Sequence, residues 1–223
     1  MNDSHGPNLI AGRKKRGVYG AKGDYREDFR IARAVEREMQ ELLCNLLTAL
    51  SEKRTCRLVS ENNDNRYDFE LQFFKQGLSP DWVHLTFEVK DDCRCADTGN
   101  IGVEYRCCGV PSGLNVSEAD FYIYNAHTGP GEADRKILLF KTEDLKQAVR
   151  DSRYHRTATS YRDGPDRPAD NYLFRLDEAE KIAVCVLDPD NPGSVRVLKD
   201  VIDAVLQERT AAKASLPQSA SGI

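Results

Sequence analysis

Residues 66–92 read RYDFELQFFKQGLSPDWVHLTFEVKDD, two alternating apolar and polar stretches around the linker QGLSP. A period of two sends successive side chains to opposite faces of a strand. A linker of this length suits a β-hairpin. Symmetric closure sets Phe74 opposite Trp82, Gln72 opposite His84, Glu70 opposite Thr86, Asp68 opposite Glu88 and Arg66 opposite Lys90, all on one face. The other face carries Tyr67, Phe69, Leu71 and Phe73 against Val83, Leu85, Phe87 and Val89. It is apolar throughout and belongs to the core.

Upstream, Ile31, Val35, Met39, Leu42, Leu43, Leu46 and Leu47 recur at helical steps, which predicts a long amphipathic helix over 25–50. RTCRLVSE supplies a first strand before the hairpin, and IGVEYRC an alternating strand after it. NVSEAD has the spacing of a capping box, Asn115 with Glu118, and suits a short helix. FYIYN is a continuous β-prone run, as expected of a strand covered on both faces. KILLF (strand), TEDLKQAVRD (helix opened by Thr142), a polar loop, YLFRL (strand), KIAVCVL (strand or buried segment) and VRVLKDVIDAVLQE (helix) follow. The order αβββ(β)αβ with C-terminal additions predicts an α/β domain built on one mixed β-sheet flanked by helices.

The chain of 223 residues is the size of one domain, 25–209, between a basic glycine-containing arm, 1–24, and a small-residue tail, 210–223, both expected to be disordered. No run approaches the roughly 20 apolar residues of a membrane span. The polar N-terminus has no signal-peptide core, so a cytoplasmic protein without a membrane partner is expected. Seven cysteines in such a chain read as reduced thiols. A net charge of −4 argues against bulk electrostatic binding of nucleic acid and leaves room for a local basic surface.

The polar face of the hairpin is unusual because like charges directly opposed across a strand pair are destabilising. Two acids as close as Asp68 and Glu88 shift one pKa upward unless a cation neutralises them. A divalent ion supplies one, and hard oxygen donors suit Mg²⁺ or Mn²⁺. A cross-strand charge lattice supplies another, with Asp68 reaching diagonally to Lys90 and Arg66 to Glu88.

Asp68 in RYDFELQF, followed by Glu88-Val89-Lys90 in LTFEVKDD after an N-terminal helix, resembles the PD-(D/E)XK nuclease superfamily, whose fold is restriction-endonuclease-like. The following TGNIGVEYRCCGVPSGLNVSEADFYIYN is similar to the segment of phage-type members in which GN-x-x-x-E, PSG and a closing aromatic strand recur in order. The similarity covers about residues 67–125, with a fainter echo in YLFRLDE; Tyr67 stands where a proline often precedes the acid. It implies a metal-dependent deoxyribonuclease in which Asp68, Glu88 and the main-chain carbonyl of Val89 ligate Mg²⁺ or Mn²⁺ and Lys90 serves the attacking water or the transition state. A helix carboxylate often completes such sites. Glu38 lies beside Val35 and Leu42 at the edge of the apolar stripe and is the candidate, whereas Glu36 and Glu41 point further away. Glu104 and Asn100 are candidates to support the ligands or a second ion, with pairing of Glu104 to Arg106 as the alternative.

DNA, including branched or recombination intermediates, is the expected partner, and a homodimer suits two-fold substrates. Ser112 offers a hydroxyl to phosphate. Arg153, Arg156 and Arg162 lie in a long basic segment interleaved with Tyr154, His155 and Tyr161, a composition for holding phosphates and stacking on bases. Two rivals remain: a non-catalytic nucleic-acid-binding protein on the same fold, and a zinc-stabilised interaction protein. Cys93, Cys95, Cys107 and Cys108 invite the latter, but their C-x-C and C-C spacings depart from that of structural zinc sites. His127 and His155 stand alone, with no motif joining either to a cysteine.

Overall fold

The computed structural model describes residues 25–49, 54–61, 66–75, 82–131, 134–161 and 168–215. The basic arm, the hairpin linker at 76–80, Arg162 and the chain beyond 215 lie outside them. The first helix, α1 (Tyr25–Ala49), buries Val35, Met39, Leu43 and Leu47, which their four-residue spacing places on one stripe. An antiparallel meander follows, β1 (Arg54–Glu61), β2 (Phe69–Lys75) and β3 (Val83–Asp92). The β2–β3 register is the expected one, with Glu70 facing Thr86 and Gln72 facing His84. The rings of Phe74 and Trp82 meet just beyond it at 5.7 Å.

After a single-turn helix, α2 (Cys95–Thr98), the chain leaves the meander for β4 (Asn100–Cys107) and β5 (Val110–Pro111). It returns as β6 (Phe121–His127), parallel to β3, and reverses into β7 (Arg135–Lys141). Then come α3 (Thr142–Arg150), β8 (Arg156–Ser160), β9 (Ala169–Arg175), α4 (Leu176–Ile182), β10 (Cys185–Leu187) and α5 (Pro192–Ser215). The main mixed sheet has six strands in the order β1-β2-β3-β6-β7-β10, flanked by helices. β6 is buried along all its length except His127, because both faces are covered. On one face Phe69, Phe87 and Phe121 stack at centroid distances of 5.0 and 5.5 Å within the core shared with α1 and α5. On the other, Tyr122, Tyr124, Leu138 and Phe140 pack with Ile101, Val103, Leu145 and Phe174.

Four expectations need correction. The described residues form two sheets: β5-β4-β9-β8 make a separate four-stranded one, so the strand bearing Glu104 lies outside the main sheet. NVSEAD forms no α-helix. Only a 3-10 turn, Gly113–Asn115, reaches its first residue, because its polar groups bond to the meander. The Ser117 hydroxyl donates to the Arg66 carbonyl, Glu118 pairs with Arg66, and the Asp120 carboxylate accepts the Thr86 N–H at 2.8 Å. The polar loop after α3 contains β8, paired with β9 from Arg156↔Leu173 to Ser160↔Ala169. Finally, α5 continues to Ser215, past the expected start of the tail. No helix among the described residues is long and apolar enough to cross a membrane.

Candidate functional site

Asp68 stands one residue before β2, where the hairpin ladder ends, and its side chain extends the pairing. Its N–H donates to the Phe87 carbonyl at 2.8 Å, and its Oδ2 accepts the Val89 N–H at 2.6 Å. One face of β3 carries Glu88 and Lys90, and the Lys90 ammonium bonds Glu88 Oε1. Asp68, Glu88, Val89 and Lys90 are therefore brought together. Glu88 is buried, whereas the Lys90 side chain keeps 35% of its surface exposed.

The electrostatics are those of an acid cluster only partly neutralised. Burial raises the Glu88 carboxyl above its ordinary range, Lys90 pulls it back, and Asp68 and Glu104 push it up again. Burial lowers Lys90, but the Glu88 and Asp68 carboxylates outweigh it and hold the ammonium firmly protonated. Arg66 takes no part in the expected lattice with Glu88, since it pairs with Glu118 at 3.1 Å.

Glu38 does not face these acids. That side chain pairs with Arg135 at 2.6 Å, at the start of β7. Glu36 faces the cluster instead, and its carboxyl is raised by burial and by Asp68. The reason is angular: Glu36 and Glu38 lie about 200° apart around the helix, and packing against the meander selects Glu36. Arg33 pairs with Glu36 at 3.2 Å, and a cleft of about 10 Å³ is bordered by Arg33, Glu36, Arg37, Gln40, Asp68 and Phe69. That is room for one water or one ion. Gln40, 4% exposed, presents there an amide nitrogen with no hydrogen-bond partner. Carboxylate oxygens are the donor chemistry of Mg²⁺ or Mn²⁺, but the oxygens of Glu36, Asp68 and Glu88 do not all lie within 4.8 Å of one another. A larger concavity, about 570 Å³ between α1 and α5, is lined by Leu46, Val195 and Lys199 among others. Its lysine is already paired with Asp203, and it lies away from these acids.

Glu104 accepts the Ser112 hydroxyl at 2.7 Å, while Arg106 pairs with Asp170 and not with Glu104. Gly113 makes this approach possible: a Cβ there would fall 2.3 Å from the Glu104 carbonyl oxygen, and its φ is +49°. Asn100 is not brought to the acids. Its amide donates to the Thr98 carbonyl at 2.6 Å and closes the turn after α2. Arg153 follows α3 and Arg156 opens the edge strand β8, both exposed. The four cysteines of the 93–108 segment do not converge. Cys95 is buried, and Cys107 lies about 23 Å along the extended β4 from its first residue.

His127 is not isolated. Its Nε2 lies 2.8 Å from Asp91 Oδ1, and Cys93 Sγ lies 3.5 Å from Asp91 Oδ2. The Asp91 hydrogen bond, then that of Cys93, raises the imidazole to about 9. Only the parallel pairing of β3 with β6 joins these residues, so neither segment announces the cluster alone.

Comparison with protein-family models, curated proteins and solved structures finds no match.

Proposed function

We propose that this chain is a divalent-metal-dependent deoxyribonuclease of the PD-(D/E)XK type, acting in the cytoplasm. The observation carrying it is the hairpin closure that sets Asp68 against the Glu88-Val89-Lys90 segment, with Asp68 Oδ2 on the Val89 N–H and Lys90 on Glu88. The order of helix, antiparallel meander and return to a strand parallel to β3 supports a restriction-endonuclease-like core. Between β3 and β6 the chain passes through β4 and β5 of the second sheet, where a strand and a short helix over NVSEAD were expected.

Asp68, Glu88 and the Val89 carbonyl hold Mg²⁺ or Mn²⁺, and Glu36 takes the position expected of Glu38. Such an ion supplies charge stabilisation at the scissile phosphate and a more acidic bound water. The chain's own groups do the rest. Burial of Glu88 and the Asp68 hydrogen bond hold the acids in place before substrate arrives. Lys90 places a permanent positive charge beside them, where it donates to the attacking water or a phosphate oxygen. Ser112 and the exposed Arg153 and Arg156 contact the DNA backbone, and a homodimer matches two-fold DNA substrates.

The Lys90–Glu88 and Arg33–Glu36 pairs favour one rival, a non-catalytic nucleic-acid-binding protein whose acids are neutralised internally. Mn²⁺ titration with cleavage of linear, nicked, flapped and branched DNA decides. The nuclease binds Mn²⁺ and cleaves, and Glu88→Ala abolishes both. Unchanged Mn²⁺ affinity in Glu88→Ala, or no cleavage of any substrate, establishes the rival.

A further inference from the structure

The donors at the C-terminal ends of β3 and β6 differ in kind from the carboxylates around Glu88 and lie on the other face of the main sheet, since Asp91 and Glu88 are odd and even positions of one strand. They are a carboxylate, a thiol and an imidazole, from Asp91, Cys93 and His127. Their ligand atoms all fall within 4.8 Å of one another and all three residues are half-buried. We propose that Asp91, Cys93 and His127 bind one Zn²⁺ ion through Oδ, Sγ and an imidazole nitrogen, with a water in the fourth position. This site stands independently of the nuclease reading.

The geometry is close to what the ion requires. With Zn–N and Zn–O bonds near 2.0–2.1 Å and Zn–S near 2.3 Å, tetrahedral donors stand about 3.3–3.6 Å apart. The Cys93 Sγ–Asp91 Oδ2 separation of 3.5 Å falls within that range and the His127 Nε2–Asp91 Oδ1 separation of 2.8 Å lies below it, so side-chain rotations that open the His127–Asp91 pair bring the three donors onto one centre. Mixed nitrogen, sulfur and oxygen donors favour a borderline ion such as Zn²⁺ over Mg²⁺.

Asn125 is the second observation. It is the ladder partner of Asp91, is 2% exposed, and donates its amide to Asp91 Oδ1 at 2.7 Å. Hydrogen bonds of this kind orient metal-binding carboxylates. Its own Oδ1 is buried with no hydrogen-bond partner, leaving an acceptor for a metal-bound water. Across the ladder from His127, the Arg135 guanidinium is taken up by Glu38, which offsets its charge. The ion ties the two strands beyond their last paired residues, Asp92↔Ala126, and anchors the turn that enters α2.

The test uses the full chain, stripped with chelator and titrated with Co²⁺ as a spectroscopic substitute for Zn²⁺. Wild-type protein should develop thiolate-to-cobalt charge transfer and tetrahedral absorption that saturate at one equivalent and vanish on addition of Zn²⁺. Cys93→Ser should lose the charge-transfer band, Asn125→Ala should weaken binding about tenfold, and Cys107→Ser with Cys108→Ser should change nothing. A band that survives Cys93→Ser, or that requires Cys107 and Cys108, overturns the assignment, as does the absence of stoichiometric binding. Should Cys93→Ser fail to fold, alkylation of the wild-type chain decides instead. Zn²⁺ must protect Cys93 from iodoacetamide, and equal labelling with and without Zn²⁺ rejects the site.

Discussion

Lys90 separates catalysis from binding in the proposed nuclease. Its ammonium is held beside Glu88 and away from the exposed arginines, so its removal should cost transition-state stabilisation rather than DNA affinity. A positioned donor of this kind is worth about 10²–10³ in rate. Lys90→Ala should therefore bind DNA and Mn²⁺ normally and cleave at least about a hundredfold more slowly in single turnover. Lys90→Arg should not restore the rate, because a planar guanidinium does not replace a compact ammonium. Asp68 has a structural duty as well. Asp68→Ala leaves the Val89 N–H without its 2.6 Å partner and should cost about 1–3 kcal/mol of stability in denaturant titration, besides abolishing cleavage. Glu36 behaves oppositely. Its folded carboxyl is raised above the unfolded value, so its ionisation opposes folding, and the opposition fades as pH falls through the raised value. In chelator at pH 7, Glu36→Gln should melt at or above the wild-type temperature, and any advantage should shrink toward acid pH. A clear loss of melting temperature would assign Glu36 to the Arg33 pair alone.

The hairpin shows which elements a sequence announces. Alternation over two strands and a short linker determine the β2–β3 register, so the pairing of Glu70 with Thr86, and the approach of Asp68 to Glu88, follow from local pattern. The helix α1 and its buried stripe were legible for the same reason, as was the doubly covered β6. Long-range choices were not. IGVEYRC alternates as well as any strand of the main sheet, and nothing in it says that it pairs with β9, some seventy residues on, rather than with β3. The helical pattern sets Glu38 at the edge of the apolar stripe and Glu36 further away, and only docking of α1 on the meander turns Glu36 toward the acids and Glu38 toward Arg135. The β8 strand was hidden because its exposed RTATS has no buried face to impose a period. β8 carries the DNA prediction for its element. Neutralising Arg153 and Arg156 should lower the salt dependence of DNA binding by about one unit for each phosphate that is no longer neutralised, without changing Mn²⁺ affinity. An unaltered slope would move the DNA surface elsewhere.

At the scale of the molecule, the two sheets differ in how they are held. Among the described residues β3 and β6 have a partner on each side and apolar packing above and below, whereas β8 has one partner, β9, and mostly exposed residues. Opening free energies track such differences, from near zero at frayed edges to the global value in central strands. Amide exchange should therefore be slowest at Phe87, Val89 and Ile123 and fastest along β8. The acids and the proposed DNA-contacting arginines then belong to separate cooperative units. Mild urea should release the edge strand while the central strands stay closed, giving a window in which the protein retains Mn²⁺ but loses its grip on DNA. In that window the turnover of a tethered or very short substrate should outlast that of a long one, because reach along the nucleic acid disappears before the reacting centre does.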